Sequence, residues 1–228
     1  MVASSSEEFE AAVHAHRFDQ FDLDPEAVAL ARISVEEAGL LVVGEPHGVY
    51  ETPGVLYSLA VALDTRAVAF EWSHEELEEA VQNLDFERLW VLPTTAEFFS
   101  GDGRFTAGHF ALLQRLRDEG RLEQAIAYDR HDPKPRPDDW RIRDAEMAER
   151  LLAEWGGAPL IVLTGAFHAT LEDGTMASHL AAERPGLRPL MLQYENRPPM
   201  PPAPITLRLP QASAALVPTR QSGGEMKT

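Results

Sequence analysis

Histidine follows glycine by three positions at the ends of two apolar segments of this chain. Gly44 and His47 lie in LLVVGEPHG, and Gly165 and His168 lie in APLIVLTGAFHA. An imidazole near neutral pH can act as a base, a nucleophile or a metal ligand. Because side chains that follow parallel strands gather at the carboxyl edge of a sheet, the two imidazoles are predicted to meet in space. Acid–base catalysis or metal binding is the chemistry that such a pair predicts.

Two acidic residues accompany these histidines. Glu45 stands two positions before His47, where it can orient or protonate the imidazole. Glu71 ends the apolar run AVAFE, where a carboxylate is costly to bury without a cation, a metal ion or a proton. We therefore place both acids in the site. A divalent metal ion bound by His47, His168 and Glu71 is one arrangement that the sequence allows.

Three more residues near strand ends are candidate substrate contacts. His74 lies just inside a helix that follows Glu71, and a position on the surface suits it equally well. Asp129 and His131 crowd the end of the apolar run EQAIAY. One or both can point into the site, and a solvated loop is the alternative.

Tyr50 and Glu51 follow the His47 turn and are also expected to contact substrate. The alternative role of Glu51 is to complement the dipole of a helix that opens at Pro53. Arg143 and Asp144 lie in the first turns of a predicted helix. They either hold an acid of the site or pair with neighbours on the surface.

Apolar strands alternate with amphipathic helices along the chain. Strands are predicted at 39–43, 67–71, 123–128, 160–163, 188–193 and 205–209. Helices are predicted at 6–17, 53–65, 74–84, 106–119, 140–155 and 175–183. Residues 85–104 and the proline-rich stretch 132–137 are predicted to be irregular. The alternation predicts an α/β fold with a mostly parallel central sheet, helices on both faces and the active site at the carboxyl ends of the strands.

Composition limits the classes of function. The 228 residues, 44% of them hydrophobic, suffice for a single α/β catalytic domain over 1–210, followed by a flexible tail over 211–228. A net charge of −17 disfavours nucleic acid and anionic membranes as partners. The absence of cysteine excludes disulfides and thiolate chemistry, and no segment reads as a leader or a membrane span. A cytoplasmic protein with a small-molecule or peptide substrate is the expectation.

Three motifs together resemble a known superfamily. LVVGEPHGVYE resembles the G-E-x-x-H-G-x-x-E segment of erythromycin esterase-like proteins, RDAEMAERL resembles their R-D-x-x-M-A helix, and VLTGAFHA resembles their second histidine motif. The wider group includes the ChaN haem-binding proteins and the TIKI and TraB proteases, which share paired GxxH motifs on an α/β scaffold. The resemblance implies a catalytic role for His47 with His168 opposite it. The other residues that it places around His47 are Glu45, Glu51, Glu71, Arg143 and Asp144.

The resemblance favours hydrolysis of an ester or an amide. His47 would take a proton from water, and His168 or Arg143 would stabilise the oxyanion, with a metal ion as an alternative means of activating the water. The chain lacks room for the large helical part that surrounds the macrolide in erythromycin esterases, so a macrolide substrate is not expected.

Two other functions stay open. The first is haem or metal binding of the ChaN type, which requires a tyrosine or histidine ligand and an apolar face. The residues available for it are Tyr50, Tyr57, Phe98, Phe99 and Phe105. The second is epimerisation or elimination in a biosynthetic gene cluster, with the two histidines as opposed bases.

Overall fold

The chain folds around a six-stranded parallel β-sheet, seen in a computed structural model that describes residues 2–18, 21–73, 83–91, 102–129 and 140–218. Its strands, numbered in chain order after a short β1 at Val2–Ala3, are β2 Leu40–Glu45, β3 Ala67–Ser73, β4 Gln124–Asp129, β5 Leu160–Gly165, β6 Leu190–Tyr194 and β7 Ile205–Leu209. Their spatial order is β4-β3-β5-β2-β6-β7, and every neighbouring pair is parallel. A second sheet joins β1 to β8, Val217–Pro218. The predicted α/β class with a parallel sheet is confirmed.

Seven described helices surround the sheet. They are α1 Ser6–Ala15, α2 Pro25–Ala38, α3 Thr52–Leu63, α4 Phe86–Val91, α5 Ala107–Asp118, α6 Trp140–Glu154 and α7 Met176–Glu183. Among these helices, none combines the length and the apolar character needed to cross a bilayer.

The two faces of the sheet bury separate hydrophobic cores. Alternate residues of a strand point to opposite faces, so that Leu41 and Val43 join a core with α1, α2, α3 and α5, while Leu40 and Val42 join another with α6 and α7. Both faces are therefore covered by helices, and β2, β3 and β5 are buried along their whole length. The polar residues at the carboxyl ends of these strands are held on a rigid frame.

Three sequence expectations need correction. Helix α2 was not predicted, although Asp24 caps its first turn and Gly39 ends it with a φ of 83°. Helix α4 lies inside the stretch expected to be irregular. Strand β2 extends to Glu45, so this acid belongs to the sheet and not to the turn. Most of the predicted helix 74–84 and the loop 132–137 lie outside the described residues.

The first part of the expected tail is also folded. The N–H of Ala215 donates to the carbonyl of Gly48 at 2.9 Å, and the N–H of Tyr50 donates to that of Ser213 at 3.0 Å. Residues 213–215 therefore run beside the turn that carries His47.

Candidate functional site

Glu45 holds the imidazole of His47. Glu45 is 2% exposed, and its Oε1 lies 3.1 Å from His47 Nδ1. Because an ionised carboxylate accepts the Nδ1 hydrogen, the lone pair is assigned to Nε2. This nitrogen lies against the end of β5, since a Cβ added at Gly165 would be 2.9 Å from it.

Asp144 holds the second imidazole in the same way. Asp144 is fully buried on α6, and one of its carboxylate oxygens lies 2.8 Å from His168 Nδ1. The same carboxylate accepts the backbone N–H of Met176 at 2.8 Å, which fixes it at the start of α7. The Nε2 atom of His168 is therefore also left for other partners.

Glu71 lies between the two histidines. Its Oε2 accepts the hydroxyl of Thr164 and the N–H of Gly165, each at 2.9 Å. Its Oε1 lies 3.8 Å from Nε2 of His168, and the Cβ position of Gly165 is 3.6 Å from Oε2 and 2.9 Å from His47 Nε2. The two imidazoles, which are far apart along the chain, therefore approach the same carboxylate.

Two arginines surround the carboxylates at this edge. Arg143 donates from Nε to Asp129 at 2.9 Å and from Nη2 to Glu71 at 2.8 Å, and Nη2 also contacts Asp129. Arg104 approaches Asp129 at 3.4 Å and Glu71 at 3.5 Å, while its Nε donates to Asp102 at 2.8 Å. The acidic residues thus have the cations that their burial requires.

The electrostatic surroundings shift the pKa of both central groups. Burial raises the pKa of Glu71, but the charges of His168, Arg143, His47 and Arg104 outweigh it and lower the pKa to about 2. Burial lowers the pKa of His47, but the hydrogen bond and charge of Glu45, with the charge of Glu71, raise it above its ordinary value. Glu71 is therefore an anion at neutral pH, and the imidazolium form of His47 is stabilised.

A cavity of about 10 Å³ opens beside His47. Its walls include Glu45, His47, Glu71, Trp72, Arg104 and Thr164. This volume is about what a single water molecule needs. The wall residue Glu45 also supplies a buried acceptor, since its Oε2 has no hydrogen-bond donor in the described part of the chain.

Aromatic side chains flank the site on the side of His168. The ring of Phe167 is 44% exposed and packs edge-on against Trp140, with 5.0 Å between centroids. Its centroid lies 5.7 Å from that of His168. This aromatic flank, Trp140 and Phe167, offers an apolar surface next to a polar site.

Two residues near this site, Arg104 and His109, are not among the predicted site residues. Arg104 lies in the stretch that was expected to be irregular and carries no motif. His109 is buried on α5, with Nδ1 3.2 Å from the hydroxyl of Thr106. Its Nε2 has no hydrogen-bond partner among the described residues, and burial lowers its pKa despite the charge of Glu45. Its ring packs near Phe70, with 5.6 Å between centroids.

Glu51 and Tyr50, which were predicted to contact substrate, bind neighbouring segments of the chain. Glu51 accepts the N–H of Ser213 at 2.8 Å. The hydroxyl of Tyr50 accepts the N–H of Arg17 at 3.4 Å, and its ring packs on His16. Both residues therefore serve the packing of the His47 turn. His74 and His131 lie outside the described residues.

The residues present do not suit a divalent metal ion. Within the described ranges, no group of three or more histidine, aspartate or glutamate side chains is arranged to hold one. Both oxygens of Glu71 are already occupied by Thr164, Gly165 and Arg143. The nearby guanidinium groups would also repel a dication. The set of His47, His168 and Glu71 is therefore not supported as a metal site.

Of the residues assigned to haem, the three that the structure describes are already engaged in other contacts. Tyr50 is engaged as described above, and the hydroxyl of Tyr57 donates to Glu119 at 2.9 Å. Phe105 is buried and stacks on Trp72 at 5.0 Å. Phe98 and Phe99 lie outside the described residues.

The fold and the site define an α/β protein with two carboxylate–histidine pairs at the carboxyl edge of a parallel sheet. Comparison with protein-family models gave no match, and comparison with curated proteins gave none either. Comparison with solved structures found similarity to ChaN of Campylobacter jejuni, whose structure shows cofacial haem binding, with a TM-score of 0.48 and 10% sequence identity. The likeness covers 89% of this chain and 96% of that chain. It concerns the arrangement of the chain alone.

Proposed function

We propose that this protein is a hydrolase that cleaves an ester or an amide in a small molecule or peptide, with His47 as the general base. The observation that carries the proposal is the water-sized cavity beside His47, whose Nδ1 is bound to Glu45. A base held in one tautomer next to a water site is the arrangement that general-base hydrolysis requires. The substrate carbonyl would approach this cavity from the carboxyl edge of the sheet.

The first step forms the tetrahedral intermediate. Nε2 of His47 takes a proton from the water, and the oxygen attacks the carbonyl carbon as the C=O bond becomes a C–O⁻ bond. Glu45 stabilises the imidazolium that results, in line with the raised pKa of His47. Arg104 is the better oxyanion partner of the two arginines, because its contacts with Glu71 and Asp129 are long whereas Arg143 makes short hydrogen bonds to the same acids.

The second step expels the leaving group. His168, as the imidazolium, gives its Nε2 proton to the leaving oxygen or nitrogen while the bond to the carbonyl carbon breaks. Asp144 accepts the Nδ1 hydrogen and so keeps Nε2 directed at the site. The acid and the alcohol or amine then depart. Exchange with solvent removes the proton from His47 and returns a proton to His168.

The experiment is a rate measurement on p-nitrophenyl esters of increasing acyl length and on the matching p-nitroanilides. His47→Ala is expected to lower the rate by roughly a hundredfold to ten-thousandfold with an unchanged circular dichroism spectrum. His14→Ala is the control, since His14 is exposed on α1 and is not near the site. Full activity in His47→Ala contradicts the proposal. Solvent deuterium that enters a recovered substrate without cleavage would instead indicate that the two histidines act as bases on a substrate carbon, as in epimerisation.

Haem binding is a second candidate, favoured by the aromatic flank beside His168. Phe167 and Trp140 would hold the apolar body of such a ligand, and His168 beside them would supply an imidazole ligand. Titration with hemin tests it: a Soret band that shifts in His168→Ala supports binding of the haem iron by this residue. No band with the native chain contradicts this candidate and leaves the hydrolase proposal untouched.

A further inference from the structure

A second cavity lies on the sheet at β6 and β7, away from the histidines. Its volume is about 550 Å³, which is in the range of small-ligand sites. The strands contribute Met191, Gln193, Thr206 and Arg208, and the connection 195–204 that joins β6 to β7 contributes Arg197 and Met200. In β7, Thr206 and Arg208 are the exposed positions of an alternating pattern, so they face outward from the core.

The connection that forms one wall of this cavity is fixed by side-chain amides. Oε1 of Gln193 accepts the N–H of Met200 at 2.7 Å, and Nε2 of Gln193 donates to the carbonyl of Tyr194 at 2.9 Å. Asn196 makes two bonds with the backbone of Ala212, at 2.7 and 2.9 Å. The walls are therefore set before any ligand arrives, and preorganisation lowers the free-energy cost of binding.

Positive charge exceeds negative charge in the lining of this cavity. Arg197 and Arg208 both line it, and neither has an ion-pair partner among the described residues. Elsewhere in this strongly acidic protein, arginines such as Arg66, Arg115 and Arg188 pair with carboxylates. Glu195 contributes a single negative charge to the lining, so the cavity keeps a net positive charge.

From these features we infer that the cavity between β6, β7 and the connection 195–204 binds a small organic anion with an apolar body. The two guanidinium groups would hold the carboxylate or other anionic group, since arginine donates paired hydrogen bonds to such groups. Met200 and the neighbouring prolines 199, 201 and 202 would contact the apolar body. This inference does not depend on the proposed hydrolase activity.

The probe for this site is 8-anilinonaphthalene-1-sulfonate, an apolar anion, titrated into the full chain by fluorescence. Arg197→Gln and Arg208→Gln are each expected to weaken binding about tenfold, the cost of losing a charged hydrogen bond. Glu195→Gln is expected to strengthen it, because it removes the negative charge. Binding through apolar contact alone would not give these opposite signs, and an unchanged affinity in all three variants overturns the inference.

Two controls locate the probe. Arg115→Gln alters another cavity, of about 590 Å³, that Phe18, Tyr57 and Arg115 help to line, and it should leave the affinity unchanged. A loss in Arg115→Gln with no loss in the other arginine variants contradicts the inference. Octanoate should displace the probe from the native chain, whereas inorganic phosphate at the same concentration should not. Equal displacement by phosphate would indicate a site for bare anions and overturn the ligand class.

Discussion

Gly165 faces the imidazole of His47 with a hydrogen where any other residue has a Cβ. An added Cβ would lie 2.9 Å from Nε2 of His47, while the N–H of Gly165 donates to Glu71 at 2.9 Å. Gly165 at the end of β5 thus leaves room for the imidazole of His47 and donates a hydrogen bond to Glu71. Gly165, the glycine of the second GxxH motif, therefore leaves space for the ring of His47, the histidine of the first motif.

Gly165→Ala should therefore displace the ring of His47 without breaking the sheet. The imidazole is tied to Glu45 and cannot move away freely, so we expect kcat/KM to fall at least about tenfold, as a small misplacement of a base does. The melting temperature should change little. Gly156→Ala is the matched control, because its Cβ would approach only Gln124, at 3.6 Å. Equal activity of Gly165→Ala and the native chain would refute the close approach.

The ionised carboxylate of Glu71 should make stability depend on acid pH. Because its pKa falls from 4.5 to about 2 on folding, its contribution is complete above pH 4.5 and is lost as the pH drops towards 2. By linkage this contribution is on the order of 3 kcal/mol. Urea unfolding of Glu71→Gln should show a lower free energy of unfolding at pH 7 and a weaker dependence between pH 4.5 and 2. The exposed Glu183→Gln on α7 should keep the native pH dependence.

The raised pKa of His47 predicts the pH profile of catalysis. The base form of the ring is needed for the first step, so the acid limb of the kcat/KM profile should rise with pH through a pKa above 6.5. Glu45→Gln keeps an acceptor near Nδ1 but removes the charge, and it should move this pKa downward and reduce the rate. NMR titration of the His47 ring measures the shift independently of activity. A pKa that does not move in Glu45→Gln would show that the carboxylate does not act on the ring.

The fold and the histidine pair were predictable because both follow from local pattern. The core strands are apolar along their whole length and end in polar residues, and parallel strands share one carboxyl edge. The hydrophobic periodicity of helix α2 is weaker. Its buried face is made of Ala27, Ala31, Ser34 and Ala38, and such small residues give little hydrophobic periodicity.

The roles of Arg104 and Gly165 depend on tertiary geometry that no local pattern encodes. Arg104 reaches Glu71 because its loop folds onto the His47 turn, where a Cβ at Gly103 would be 2.4 Å from the backbone of Gly48. The packing of residues 213–215 against that turn likewise arises from backbone hydrogen bonds. Backbone bonding of this kind is independent of side-chain type, so the sequence indicated only a loose tail.

The aromatic flank should determine the preference for the acyl group. Phe167 is exposed beside His168 and rests on Trp140, so an apolar group of the substrate can pack on it. Phe167→Ala should raise KM for long-chain or aromatic p-nitrophenyl esters by about tenfold, as the loss of an aromatic contact does, and leave kcat nearly unchanged. The acetate ester should be affected much less. Val61→Ala, at an exposed apolar position of α3, is the control, and an equal effect on all esters would contradict a role in specificity.

Glu51 should act on catalysis through the position of the His47 turn. Its Oε2 accepts the N–H of Ser213 at 2.8 Å, and this bond joins the strand-like backbone contacts of Tyr50 and Gly48 with residues 213 and 215. Glu51→Ala removes the acceptor and should lower kcat several-fold while KM stays nearly constant, because the base is displaced but the substrate contacts remain. Glu51→Gln keeps an acceptor oxygen and should restore most of the rate. If Glu51→Gln is as impaired as Glu51→Ala, the charge of Glu51 matters directly, and the residue belongs in the site as its motif implied.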